Sequence, residues 1–166
     1  MNDTYVEQLV SRKSNPISGV LKFVIYGFAI ACALMGLLGW FALFLIAIVL
    51  FLVAYFALPM LDVEYEYLYL SKEITVDKII AKQRRKRAMV IDLNKAELIA
   101  PESSHELDSY KNRPHVDKDF SSKMPEAKSY VLAYEDGENL SLIKLDLNDE
   151  MLSAIRTVFP RKIKEY

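Results

Sequence analysis

The stretch FVIYGFAIACALMGLLGWFALFLIAIVLFLVAYFALPML, Phe23–Leu61, decides the fold class of this 166-residue chain. Its 39 residues include no Asp, Glu, Lys or Arg. A helix rises 1.5 Å per residue, so a single helix of this length would reach about 58 Å. A bilayer's hydrocarbon core is only about 30 Å thick. Two antiparallel helices fit it better, giving a transmembrane hairpin over residues 17–60. The break is expected at Gly36-Leu37-Leu38-Gly39, where two glycines flank a short apolar turn. The first span then covers 17–38, opening after the helix-start pair Asn15-Pro16. The second covers 39–60, where Pro59 helps to end it. Trp40 and Tyr55 stand near its two ends, as interfacial aromatics do. One long tilted span with opposite-sided termini is the competing arrangement. A cleaved signal peptide fits less well still, because its apolar core would run only about 7–15 residues.

Charge orients the hairpin. Arg12 and Lys13 precede it, Lys22 stands as a lone cation near the cytoplasmic end of the first span where it can snorkel, Lys72, Lys78 and the run from Lys82 to Arg87 follow it, and the expected turn has no charge. The positive-inside rule therefore places both termini in the cytoplasm. Gly27, Ala31, Gly36 and Gly39 are the candidate packing positions, since small residues let helix backbones approach closely. After Lys22 the block holds no Asn, Gln, His or charged residue. A transport pathway needs such groups, so this chain alone is not a carrier or channel.

The whole chain has 21 basic and 22 acidic residues, a net charge of −1. That excludes nucleic-acid binding through bulk electrostatics. The lone cysteine, Cys32, lies inside the apolar block, so it forms neither an intrachain disulfide nor a thiol metal cluster.

Residues 1–16 form a cytoplasmic N-terminal segment. Thr4-Tyr5-Val6-Glu7 matches a capping box, and Tyr5, Val6, Leu9 and Val10 fall on one helical face. A short interfacial helix and a frayed tail both fit so short a piece.

Residues 61–166 read as a domain of mostly antiparallel strands closed by a helix. Val63–Leu70 opens with strict alternation and is rich in tyrosine. Ile74–Ile80 follows a hairpin-length gap, then come Ala88–Leu93 and Ala96–Ala100. Ser129–Glu135 and Leu140–Leu145 flank an Asp136-Gly137 turn. Asn148 caps a helix whose Met151, Leu152, Ile155, Val158 and Phe159 form one apolar face, ended by Pro160. Between them, 101–128 is polar throughout and reads as a long loop, either functional or disordered.

Tyr65–Arg87 (YEYLYLSKEITVDKIIAKQRRKR), the later hairpin and the closing helix resemble the bacterial pleckstrin-homology-like domains. The start MNDTYVEQLVSRK and the end VFPRKIKEY resemble a family of small bacterial membrane proteins with a domain of unknown function. The resemblance implies a membrane protein of the bacterial plasma membrane, a transmembrane hairpin followed by a pleckstrin-homology-like domain. It brings no activity, cofactor or catalytic residue, and such a fold implies binding without naming the ligand.

Lys82, Arg84, Arg85, Lys86 and Arg87 put five positive charges in six residues, and are placed at a turn between strands. Such a segment contacts anionic headgroups, meets an acidic partner, or stays solvated and enforces topology. Tyr65, Tyr67 and Tyr69 form either an aromatic binding surface or a packed strand face. His105 and His115 match no standard metal-site spacing. No glycine-rich phosphate loop, nucleophile elbow or Cys–His pairing is present, so no catalytic residue, metal or cofactor is expected. The expected function is a non-enzymatic, membrane-anchored interaction module. It would present its domain to a protein partner or to lipid headgroups. The alternative is an accessory subunit of a membrane complex, recognised by an unidentified membrane protein through the hairpin.

Overall fold

The computed structural model describes residues 5–13, 16–137 and 139–164. It divides into two compact units. One comprises Met1–Lys13, Glu64–Ile79 and Arg85–Tyr166, and the other comprises Ser14–Val63 with Ile80–Arg84.

The second unit is built on a helical hairpin. α1 (Pro16–Leu37) and α2 (Phe41–Ala57) are followed by a 3-10 turn at Leu58–Leu61. The reversal falls at the expected place, where Gly39 takes φ +110, a conformation that side chains disfavour. Asn15 of the expected helix-start pair lies outside the described residues. A seam of small side chains joins the helices: Ala29, Cys32, Ala47 and Ala54 are buried. The bulky side chains point away, with Phe23 82% and Phe41 79% exposed. Both helices, taken as Ser18–Leu37 and Phe41–Leu61, are long and apolar enough to cross a membrane.

The first unit is a two-sheet β domain. One sheet has the order β1-β2-β3-β4, formed by β1 (Val6–Ser11), β2 (Val63–Leu70), β3 (Glu73–Ile80) and β4 (Arg84–Asp92). The other has the order β5-β7-β8-β6, formed by β5 (Ala96–Pro101), β6 (His115–Asp119), β7 (Ser129–Asp136) and β8 (Asn139–Asp146). Pairing between β5 and β7 and between β7 and β8 is antiparallel, whereas β6 joins β8 in parallel. A short helix α3 (Asp108–Lys111) precedes β6, and α4 (Asp149–Val158) follows β8. Asn148 caps α4 as expected, accepting the Met151 N–H at 2.8 Å.

Three expectations are corrected. The N-terminal segment is a strand, not an interfacial helix or a tail. β1 pairs antiparallel with β2, placing Val6 opposite Tyr69, Gln8 opposite Tyr67 and Val10 opposite Tyr65. Val6 and Val10 are buried, whereas Leu9 and Tyr5 are exposed, so the period is two. Gln8 disguised it. This polar residue faces inward because its amide donates to the Asp146 carbonyl at 2.8 Å and accepts the Asn148 N–H at 3.0 Å. Thr4 of the capping box lies outside the described residues.

The 101–128 segment is not a disordered loop. It contains a 3-10 turn at His105–Leu107, α3 and β6. Leu107 is fully buried in a cluster with Leu98, Ala100, Val131, Ala133, Leu140 and Leu142, against which Tyr110 packs. These strand residues lie on one face of the second sheet, so the segment covers a face that would otherwise lose its burial. Among the described residues the domain therefore has eight strands, where the sequence pattern marked six.

The basic run is the third. Only Ala81, Lys82 and Gln83 form the turn, and Arg84–Arg87 begin strand β4.

Tyr65, Tyr67 and Tyr69 are all buried, which decides for strand packing over an aromatic surface. A buried polar knot sits beneath them. Tyr67 donates to the Phe120 carbonyl at 2.7 Å, and Asp146 accepts from Ser122 N–H and Ser129 Oγ, both at 2.6 Å. Burial drives the Tyr67 phenol well above its ordinary pKa.

Candidate functional site

The basic segment starts from a strained turn. Ala81 and Lys82 both take left-handed backbone angles, φ 55 and 56. Within the helical unit, the Ala81 N–H donates to the Asp62 carbonyl at 3.1 Å. Asp62 follows the 3-10 turn after α2, and its carboxylate lies 3.2 Å from Lys22 Nζ on α1. The turn is thus tied to the open end of the hairpin, opposite the Leu38–Trp40 reversal. The sequence hid this, because Asp62 and Ala81 are far apart along the chain. It also left Lys22 as a lone cation at a helix end, whereas here it has an acidic partner.

The five basic residues are not equivalent. In the β unit, Arg85 Nη2 lies 2.8 Å from Glu66 Oε1. Arg87 Nε lies 3.9 Å from Asp77 Oδ1, too long for a hydrogen bond. Lys82, Arg84 and Lys86 meet no acidic partner among the described residues. Glu66 and Asp77 are buried, yet sequence reasoning passed over both as polar positions of alternating strands.

The hairpin positions separate in the same way. A Cβ on Gly36 would lie 2.6 Å from Phe44 Cβ, so this glycine lets the two helices meet. Gly39 forms the turn. Gly27 and Ala31 are exposed, and a Cβ on Gly27 meets nothing within 4 Å. They take no part in the hairpin's own packing.

A half-open cleft of about 450 Å³ lies in the β unit, floored by Val131 and Leu142 and rimmed by Glu102, Lys111, His115 and Lys144. Its charges are largely matched internally: Lys144 pairs with Glu102 at 2.6 Å and His115 Nε2 lies 3.4 Å from Asp117. His105 lies instead beside Asp108, so the two histidines have separate partners.

A match along nearly the whole chain decides the family. The family model described as a bacterial PH-like domain (DUF6106) matches residues 2–165. The chain belongs to this family. The match makes no division between a membrane part and a C-terminal domain. In this DUF6106 member the β domain itself begins before the hairpin, with β1, and resumes after it, with β2. The helices are thus an insertion in a PH-like domain rather than a segment preceding one. No curated protein and no solved structure matches the chain. PH-like domains are in general binding modules without catalytic chemistry, and that coarse function is what the family supplies.

Proposed function

We propose that the protein is a membrane-anchored, non-enzymatic binding module. Its hairpin crosses the bacterial plasma membrane twice, and its PH-like domain and both termini lie in the cytoplasm. The β3–β4 turn meets anionic lipid headgroups, leaving the rest of the domain free to bind a partner protein.

One observation carries the reading. β1 and β2 flank the hairpin in sequence, yet pair antiparallel with Ser11 opposite Glu64. The chain therefore leaves and re-enters the same end of one strand pair. A single span would strand β1 and β2 on opposite sides of the membrane. The exposed apolar side chains of α1 and α2 add support, because a surface patch of that extent is unstable in water. So does the basic turn: tied to Asp62 at the open end of the hairpin, it falls at headgroup depth, where each cation contributes about 1 kcal/mol of attraction.

Cysteine labelling of the full chain in right-side-out and inverted membrane vesicles tests the topology, using a Cys32→Ala background. Cysteines placed at Glu7 and at Ser103 should label only from the cytoplasmic side, and one at Leu38 only from outside. Labelling of Glu7→Cys and Ser103→Cys from opposite sides would refute the two-span reading.

Gly27 and Ala31 favour a second reading, an accessory subunit recognised through its hairpin. They present a small-residue patch that the hairpin leaves unused. Gly27→Leu with Ala31→Leu should then abolish crosslinking to a membrane partner. If crosslinking survives that pair and fails on charge reversal at Lys82 and Arg84, the basic turn is the binding element.

A further inference from the structure

Glu66, on β2, is only 3% exposed. Its Oε1 accepts from Arg85 Nη2 at 2.8 Å, while Oε2 is buried with no donor among the described residues. Asp77, on β3, is buried too, and its Oδ1 also lacks a hydrogen-bond donor. β1 adds a third carboxylate, Glu7, which accepts from the Tyr5 hydroxyl at 2.7 Å. Two buried acids from two strands thus face two guanidinium groups from β4, Arg85 and Arg87, and Glu7 lies close beside Glu66. The acids at the contacts are buried, whereas the side chains of Arg85 and Arg87 are 57% and 71% exposed.

This asymmetry has a chemical consequence. A carboxylate removed from water with one oxygen unpaired is costly to keep ionised. Burial therefore raises the Glu66 pKa. Arg85 opposes the rise, and Glu7, through charge and a hydrogen bond, and Asp77 add to it. A proton on Glu66 also gives the crowded acids a hydrogen-bond donor. Arg85, already mostly in solvent, then loses the charge that holds it.

We propose that Glu66 is a proton-operated latch on the basic segment: ionised, it holds Arg85 against β2, and protonated, it releases Arg85 to the phosphate of anionic lipid headgroups. The latch rests on the headgroup reading of that segment given above. Acidification at the inner leaflet then strengthens lipid engagement by one cation.

The test uses the full chain with Cys32→Ala and a fluorophore on Gln83→Cys, in nanodiscs of phosphatidylcholine with phosphatidylglycerol. Quenching by nitroxide-labelled phosphatidylglycerol reads headgroup occupancy. As pH is lowered stepwise from about 7.5 until the fold begins to melt, wild-type occupancy should rise about fivefold, the factor equivalent to about 1 kcal/mol for one released cation. Glu66→Gln should show the high value throughout, with the fold checked by circular dichroism. A Glu66→Gln variant that keeps the wild-type pH response overturns the latch. So does a wild-type protein that lacks one while Lys82→Glu with Arg84→Glu still abolishes quenching, and in that case the headgroup reading stands. If the double reversal leaves quenching unchanged, the headgroup reading fails and the latch fails with it.

Discussion

Gly36 and Gly27 differ by nine positions on one helix, yet methylating them should have opposite consequences. A Cβ on Gly36 would sit 2.6 Å from Phe44 Cβ, 2.7 Å from Phe44 N and 2.9 Å from Phe44 Cα. Comfortable carbon contacts lie near 3.5–4.0 Å, so α1 and α2 must part by about 1 Å at this point. The obstacle includes backbone atoms of α2, which no rotamer change can clear. Overpacking of this kind costs about 1–3 kcal/mol. Gly27→Ala meets nothing within 4 Å and gains helix propensity of up to about 1 kcal/mol. Unfolding of the full chain in mild detergent, titrated with dodecyl sulfate, separates the two. Trp40, the only tryptophan, lies beside the turn and reports opening of the hairpin by fluorescence. Gly36→Ala should unfold at a lower dodecyl sulfate fraction than wild type, and Gly27→Ala at the same or a higher one. Equal shifts for both variants would refute the seam. The contrast also bears on the partner question. A substitution at Gly36 damages the hairpin itself, so only Gly27 and Ala31 can test docking to another membrane protein.

Asp146→Ala leaves the Ser122 N–H and the Ser129 hydroxyl without their buried acceptor, and should destabilise the β domain by about 3 kcal/mol or more, read as a fall in its thermal midpoint. Ser71 and Lys72 form a tight turn with φ 50 and 71, so Ser71→Asn with Lys72→Gly should stabilise by about 1 kcal/mol, and a lower midpoint would refute the turn geometry. The raised Glu66 pKa means the native state holds its proton more tightly than the unfolded chain does. Its contribution to stability is full below the ordinary glutamate value of about 4.3 and is lost as pH rises through the native pKa. Glu66→Gln should therefore raise the midpoint at neutral pH and flatten its rise on acidification, and an unchanged slope in thermal melts would count against the assignment.

Much of the fold is written in local pattern. An uncharged stretch too long for one span, broken by Gly36 and Gly39, specifies a helical hairpin without help from the rest of the chain. The Tyr65-Tyr67-Tyr69 alternation and the Asn148-capped amphipathic helix are equally local, and both stand where the pattern puts them. The errors all involve residues whose reason for burial is far away in sequence. Gln8 looks helical until Asp146 and Asn148 supply its hydrogen bonds. Leu107 looks like one apolar residue in a polar loop until Val131 and Leu142 form a face for it to cover. Among the candidate site residues, the charge of Lys82–Arg87 was plain, but its division was not, because the acids that hold Arg85 and engage Arg87 stand on other strands.

The sequence by itself determined composition-driven features: two apolar helices, their reversal, the main strands and the closing helix. These follow from side-chain period, backbone preference and the length of an apolar run. Only the tertiary structure decided that the helices interrupt a β domain rather than precede it, that β1 and β6 are strands, and that the basic turn is tied to Asp62. Each of those depends on a hydrogen bond or a buried contact between distant segments, and no local pattern records which distant partner a group will meet.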